Sequence, residues 1–314
     1  MRAMETYLCA ALSGTRLLVG EIDSFGNILH YRKYDSGYFN QQAALEFIKH
    51  SIDDYREAFI SYGTFPKAIG VGLIGRVNAA EGVWLQIDPF RSSPIPLAME
   101  LSSEYGVHCF IDNDVKSAAR AERVWGVGQI SRNFIYMNIG SGIAAGIVVK
   151  GRQIRGSSFN AGEVGHIRSG LNLGMRCTCG RVDCVETIAS SIGLDRCARA
   201  LKDRYSTSLE IKDTVRIQPA EIFSRAAGGD ELCSVLVDNA SEAIADLIMN
   251  LVRTTDPDTV VLGGSMVADG FLLPRIQERL NATTMRFVTN GVVMTKLNPD
   301  FIGLIGAGAV AMDK

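Results

Sequence analysis

Three cysteines and one histidine are spaced closely enough to hold a metal ion. His166 precedes Cys177, Cys179 and Cys184 in residues 162–186, which read GEVGHIRSGLNLGMRCTCGRVDCVE. One imidazole and three thiolates form a closed tetrahedral set, which is typical of structural zinc and leaves no position for a reactive water. The alternative is a loop with free cysteines. The close spacing of the three thiols favours zinc.

Two glutamates flank this cysteine-rich segment. Glu163 precedes it and Glu186 follows it. Carboxylates accept hydrogen bonds from neighbouring hydroxyls in defined directions, so two acids on a rigid metal loop suit a polyol ligand. The alternative for each is a solvated glutamate on a surface loop.

A predicted strand ends in two polar residues at IDND, residues 111–114. Ligands of open α/β sheets bind beyond the carboxyl ends of the strands. Asp114 in that place could accept the proton of a hydroxyl that attacks a phosphoryl group. The alternative is helix capping, which Asn and Asp commonly perform and which this pair alone would favour.

Three short glycine turns each follow an apolar strand. Their backbone N–H groups could form anion-binding nests, although any hairpin can carry glycine. Together with a strand-end acid they favour a nucleotide site, and the first strand is followed by no P-loop or GxGxxG pattern. The turn residues are Gly14, Thr15, Gly140, Ser141, Gly142, Gly263 and Gly264.

The elements that must position these residues form two similar sets. Strands are predicted at 6–12, 16–22 and 27–34, and the pattern returns at 134–139, 143–149 and 152–155. Helical spacing predicts helices at 41–61, 115–126, 186–204 and 303–313 among others. Alternating strands and helices indicate the α/β class, with two lobes and a ligand cleft between them. The predicted lobes are residues 1–115 and 116–302.

Composition limits the classes of function. The 314 residues are 47% hydrophobic, and 32 basic residues face 34 acidic ones, for a net charge of −2. This charge favours binding to neither nucleic acid nor membrane, and the sequence has no predicted membrane span or signal peptide. We expect a cytoplasmic protein. Seven cysteines, an odd number, argue against a disulfide framework, and the four outside the cluster fit buried apolar positions.

The cysteine segment resembles a motif of the ROK family of sugar kinases and repressors, which belongs to the actin-like ATPase superfamily. GEVGH and CTCGRVDCVE match Gly-Glu-x-Gly-His and Cys-x-Cys-Gly-x-x-Gly-Cys-x-Glu, with Asp183 where the family usually has Gly. The resemblance covers nearly the whole chain. It implies two RNase-H-like lobes around a cleft, with the last helix, 303–314, returning to the first lobe.

The resemblance also implies a role for each candidate residue. Asp114 would be the catalytic base, and the glycine turns would bind the phosphates and adenosine of ATP with magnesium. Homodimers are common in the family. The sugar contacts would be Asn113, Glu163, His166 and Glu186, and the zinc ligands His166, Cys177, Cys179 and Cys184.

The first phosphate segment departs from the family pattern. The family usually has Asp-x-Gly-Gly-Thr-Lys, and here residues 11–16 read ALSGTR. Ala11 replaces the Asp that helps to organise magnesium in kinases of this superfamily, and Ser13 replaces the first Gly. Residues 72–77 and 85–90 also differ from the kinase pattern, which affects part of the expected sugar pocket.

Three functions are compatible with these features. The favoured hypothesis is an ATP-dependent kinase of a hexose or N-acetylhexosamine. The second is a non-catalytic sugar sensor related to NagC-like repressors, which would need a partner protein because the first strand is predicted at residue 6, with no DNA-binding domain before it. The third is a zinc-stabilised protein with neither activity.

Overall fold

The computed structural model describes residues 5–14, 16–37, 40–59, 66–87 and 93–312. Its strands are β1 (Thr6–Leu12), β2 (Arg16–Asp23), β3 (Ile28–Asp35), β4 (Ile69–Leu73), β5 (Arg76–Asn78), β6 (Val83–Gln86), β7 (Cys109–Asn113), β8 (Phe134–Ile139), β9 (Ile143–Val149), β10 (Arg152–Gln153), β11 (Thr259–Gly263) and β12 (Val292–Met294). Its helices are α1 (Gln41–Phe59), α2 (Leu97–Tyr105), α3 (Asp114–Trp125), α4 (Val185–Ala189), α5 (Ser191–Leu201), α6 (Pro219–Ala227), α7 (Glu231–Thr255), α8 (Leu272–Glu278), α9 (Ala282–Met285) and α10 (Ile302–Ala311). No helix in these described ranges has the length and apolarity needed to cross a membrane.

The chain divides into two compact units with the same sheet plan. The first unit contains residues 1–130, 153–161 and 300–314, and the second contains 131–152 and 162–299. The first sheet has the order β3-β2-β1-β4-β7, and the second has β10-β9-β8-β11-β12. In each sheet an antiparallel hairpin leads into parallel strands. The predicted α/β class and the duplicated plan are confirmed.

In the first unit, helices cover both faces of the sheet. Alternate residues of β1 face opposite sides: Leu8 and Ala10 join the core under α1, whereas Cys9 and Ala11 pack on the side of α10. Helix α10 lies very close to β4, because a Cβ added to Gly70 would come within 1.9 Å of the Ala307 carbonyl oxygen. Small residues are therefore required where this helix crosses the sheet.

Helix α3 also packs against α10, so it belongs to the first unit. The boundary between the units consequently falls after Ile130, whereas the sequence prediction placed it after Val115. Residues 153–161 return to the first unit, although they lie between segments of the second. A chain that crosses between units more than once cannot be divided at a single position.

In the second unit, the helix predicted at 186–204 is two helices, α4 and α5. The chain is extended at Ser190, with ψ of 165°, and the Ser190 hydroxyl accepts a hydrogen bond of 2.9 Å from the Gly193 N–H. Serine caps helices through this bond, and here it starts a new helix where side-chain periodicity alone continues. The strand predicted at 152–155 is limited to Arg152–Gln153.

Candidate functional site

The four predicted metal ligands lie together in the second unit. Their ligand atoms all lie within 4.8 Å of one another. The Cys177 Sγ lies 3.3 Å from His166 Nδ1, and the Cys179 Sγ lies 3.6 Å from the Cys184 Sγ. Tetrahedral zinc with Zn–S bonds of about 2.3 Å separates its sulfur ligands by about 3.8 Å. The cluster therefore has the ligand types and spacing to hold one tetrahedral metal ion.

Cys179 and Cys184 lie in different electrostatic environments. Burial raises the pKa of Cys184 to about 12, whereas the backbone N–H of Arg181 lowers the pKa of Cys179. A buried thiol with so high a pKa stays protonated at neutral pH unless a cation stabilises the thiolate.

Asp183, where the resemblance expects Gly, braces the metal loop, which is the segment from His166 to Cys184 that carries the four candidate ligands. Its backbone has φ of +58°, a left-handed conformation that Asp tolerates better than most residues. Its buried carboxylate accepts a hydrogen bond of 2.8 Å from the Met175 N–H, and its carbonyl accepts one of 2.9 Å from the Ser169 N–H. The Asp therefore keeps the turn that Gly would allow and adds a side-chain bond across the loop.

The two flanking glutamates are held at either end of this loop. Glu163 is exposed and immediately precedes a short 3-10 turn, Val164–His166. Glu186 lies in the first turn of α4, and its Oε2 accepts a hydrogen bond of 2.9 Å from the Ile143 N–H. Glu186 therefore reaches the end of the Gly140–Gly142 turn. The Nδ1 of His166 faces the thiols, so its other ring nitrogen, Nε2, remains for a different partner.

In the first unit, Asp114 begins helix α3 at the carboxyl end of β7. The Asn113 Oδ1 accepts from the Val115 and Lys116 N–H groups, both at 3.1 Å. The Asn113 Nδ2 donates to the Gly75 carbonyl and to the Asp114 Oδ1, both at 2.9 Å. Capping therefore occurs as the alternative interpretation expected, and the same amide orients the Asp114 carboxylate. The sugar contact of Asn113 stays a prediction, and it would have to replace one of these bonds.

A buried ion pair supports the strand end that carries Asp114. Asp112 is fully buried, and Arg155 donates to both of its carboxylate oxygens, at 2.8 and 2.7 Å. Lys116 Nζ also donates to the Phe159 carbonyl, so residues 153–161 are attached to the start of α3. Sequence reasoning missed Arg155, because nothing local indicates a partner 43 positions from Asp112.

We expect the replacement Arg155→Met to destabilise the protein by about 3–5 kcal/mol, since it leaves the Asp112 charge buried and unpaired. Urea unfolding measures this loss. The control is Arg32→Met, which breaks a pair whose two side chains are each 47% exposed and should cost under about 1 kcal/mol. Equal losses for the two variants would contradict the expectation.

The first glycine turn, between β1 and β2, is closed by hydrogen bonds from Ser13 and has no carboxylate at position 11. The Ser13 N–H and hydroxyl both donate to the Arg16 carbonyl, at 2.8 and 2.9 Å. Gly14 is exposed at the tip, and Thr15 lies outside the described residues. Ala11, 8% exposed, packs its methyl group against the first turn of α10 beside Gly303. Position 11, where the resemblance expects Asp, is therefore occupied by an apolar contact.

Asp23 does not replace the lost acid. It is buried, and its carboxylate accepts from the Phe25 and Asn27 N–H groups and from the Asn27 amide, at 2.8–2.9 Å. Burial would raise the pKa of Asp23, but these hydrogen bonds lower it. Its oxygens are therefore occupied in closing the turn between β2 and β3. The sequence also offers Asp88 as an acid that could compensate, and this residue lies outside the described residues.

The other two glycine turns lie side by side in the second unit. The Gly140 N–H donates to the Gly142 carbonyl at 2.9 Å, and Ser141 is exposed at the tip. Gly264 has φ of +94°, and a Cβ added there would come within 2.4 Å of the Ile139 carbonyl oxygen. Glycine at 264 thus allows the turn after β11 to approach the turn after β8.

This combination of sheet plan, metal loop and glycine turns has counterparts among known proteins. A model of the ROK family matches residues 7–314. The chain belongs to the ROK family. Its fold is that of the ROK sugar kinases, the actin-like ATPase fold, and the family includes both kinases and repressors.

Similar proteins within the ROK family have both kinds of function. The DNA-binding transcriptional dual regulator NagC of Escherichia coli is 29% identical over 273 residues, which is 86% of this chain and 65% of NagC. A glucokinase of Thermotoga maritima is 26% identical over 316 residues, 96% of each protein. A ROK glucokinase of Streptomyces griseus, solved with glucose and AMPPNP, superposes with a TM-score of 0.77 over 99% of this chain and 100% of that one, at 23% identity. The chain thus spans about two thirds of the length of NagC and nearly the full length of these two kinases.

Proposed function

We propose that this ROK protein is an ATP-dependent kinase of a hexose or N-acetylhexosamine hydroxyl. The observation that carries the proposal is Asp114, whose carboxylate is oriented by Asn113 at the carboxyl end of β7. Asp114 would accept the proton of the sugar hydroxyl while the hydroxyl oxygen bonds to the γ-phosphorus and ADP leaves. The full-length similarity to glucokinases supports the same reaction.

The metal loop would serve sugar binding. We propose that zinc binds His166, Cys177, Cys179 and Cys184, and that it holds the loop rigid. Glu163 and Glu186 would accept hydrogen bonds from sugar hydroxyls, and the His166 Nε2 would contribute a further polar contact. Glu186 already receives the Ile143 N–H, which fixes its carboxylate against the Gly140–Gly142 turn.

A non-catalytic sugar sensor is the second candidate, and the first strand favours it. The resemblance to the kinases of this superfamily expects an acid at position 11, whereas Ala11 packs in the apolar core and β1 contains no carboxylate. The similarity to NagC supports this candidate as well.

Calorimetric titration with a panel of hexoses and N-acetylhexosamines, together with ADP release from Mg-ATP, separates the two candidates. The kinase proposal requires sugar-dependent ADP release by the sugars that bind. Binding of a sugar without turnover would refute the kinase and support the sensor. Binding of no sugar at all would refute both.

Restoring the acid tests the importance of Ala11. We expect Ala11→Asp to increase the magnesium-dependent rate at least about tenfold, because phosphoryl transfer depends on charge neutralisation at the phosphates. Ala11→Asn is the matched control, since it adds the same volume without the charge. The comparison is ADP release across a magnesium series. Equal rates for the two variants would show that the missing carboxylate does not limit the reaction.

A further inference from the structure

A cavity in the second unit is suited to an anion. It has a volume of about 270 Å³ and lies between the start of α5, the start of α6 and the turn after β11. Its lining contains one cation and no carboxylate. The lining residues are Ser191, Arg216, Gln218, Pro219, Ala220 and Ser265.

The charge of Arg216 is not used in an ion pair within the described residues. Its Nη2 donates to the Ser191 hydroxyl at 2.7 Å. Asp195 is close enough to interact electrostatically with Arg216, but its carboxylate already accepts hydrogen bonds from two N–H groups of Arg199, at 3.1 and 2.9 Å. Burial would raise the pKa of Asp195, but the bonds from Arg199 and Ile217 and the charges of both arginines lower it. The exposed Arg216 guanidinium therefore keeps donors for an incoming anion.

The cavity adjoins both glycine turns of this unit. The Ser191 N–H donates to the Gly140 carbonyl at 2.8 Å, so the start of α5 is bonded to the Gly140–Gly142 turn. A Cβ added to Gly140 would lie 3.8 Å from the Ser265 hydroxyl, which follows Gly264. Helix α6 begins at Pro219, and its positive end adds to the field at the cavity.

A second cavity of similar volume, also lined by the turn after β11, contains an acid instead of a cation. Its lining includes Gly263, Gly264, Asp269 and Met294 and no cation. Because a carboxylate repels an anion, this second cavity is less suited to phosphate than the first.

We infer that Arg216 binds the phosphate groups of a nucleotide in the cavity that it lines. This assignment rests on the proposed use of ATP. Because the guanidinium supplies positive charge from the protein, nucleotide binding should persist when divalent cations are removed. Phosphate recognition in this protein then depends partly on Arg216 rather than on a metal held by β1.

The test is calorimetric binding of ATP, ADP and adenosine in EDTA to the full chain. We expect Arg216→Gln to weaken ATP and ADP binding about tenfold or more, while adenosine binding changes less than about twofold. Arg216→Lys, which keeps the charge, should recover most of the affinity. The control is Arg225→Gln, which removes an arginine of α6 that is paired with Glu221 and should change nothing.

The outcomes separate this assignment from the kinase proposal. If the unchanged protein bound neither ATP nor ADP, with or without magnesium, both would be overturned. If ATP and ADP bound equally well to the unchanged protein and to Arg216→Gln, only the role of Arg216 would be overturned. An equal loss of adenosine and ADP affinity would also overturn it, since that result indicates a general disturbance of the fold.

Discussion

Replacing Asp114 by Asn is expected to lower the rate of sugar phosphorylation by about 10²–10⁴-fold, the usual contribution of a general base. The structure makes this variant a clean test. Asp114 accepts from the Val115 N–H and from the Asn113 amide through the same oxygen, Oδ1. An Asn carbonyl oxygen can accept both bonds, so the helix start should be kept while the basic group is lost.

Two further measurements show whether the lower rate comes from the chemical step or from weaker sugar binding or a disturbed fold. Sugar affinity measured by calorimetry should change little, and the unfolding midpoint should stay close to that of the unchanged protein. Asp54→Asn, at an exposed acid of α1, is the control for loss of one negative charge in the same unit. A phosphorylation rate within about threefold of the unchanged protein would remove Asp114 from the mechanism.

The sequence predicted this strand end because local signals sufficed there. An apolar strand, two polar residues and a helical pattern follow one another directly, and each is short-range. Local signals also predicted that the candidate metal ligands lie together, because they fall within 19 positions, from His166 to Cys184. Side-chain type and spacing predict such groups because the chain needs only one loop to bring them together.

The contacts that the sequence did not predict join residues that are far apart along the chain. Arg155 contacts Asp112 across 43 positions, and Arg216 contacts Ser191 across 25. Neither arginine differs in its local sequence from a solvated surface arginine. Ser190 is a similar case, because its hydroxyl divides a helix that apolar periodicity alone continues to residue 204.

Removing one of the proposed zinc ligands is expected to abolish metal binding and to destabilise the second unit. Structural zinc contributes about 10–16 kcal/mol of apparent binding free energy in small domains, and that energy stabilises the folded loop. Cys184 is fully buried, so Cys184→Ser should abolish zinc binding and lower the unfolding temperature of the second unit. Cys197→Ser, at a buried thiol outside the cluster, should keep its zinc. Metal analysis of the dialysed proteins checks both, and an unchanged protein without zinc would contradict the assignment.

The replacement His166→Cys separates the two roles proposed for His166. Four thiolates also form a tetrahedral zinc site, so the variant should retain about one zinc ion per chain. It lacks an imidazole, and if Nε2 contacts the sugar, affinity should fall about tenfold, the equivalent of ~1.4 kcal/mol for one hydrogen bond. Unchanged sugar affinity with zinc retained would limit His166 to the metal. Loss of zinc together with sugar binding would instead show that the sugar site depends on the intact loop, because Glu163 and Glu186 are both held at its ends.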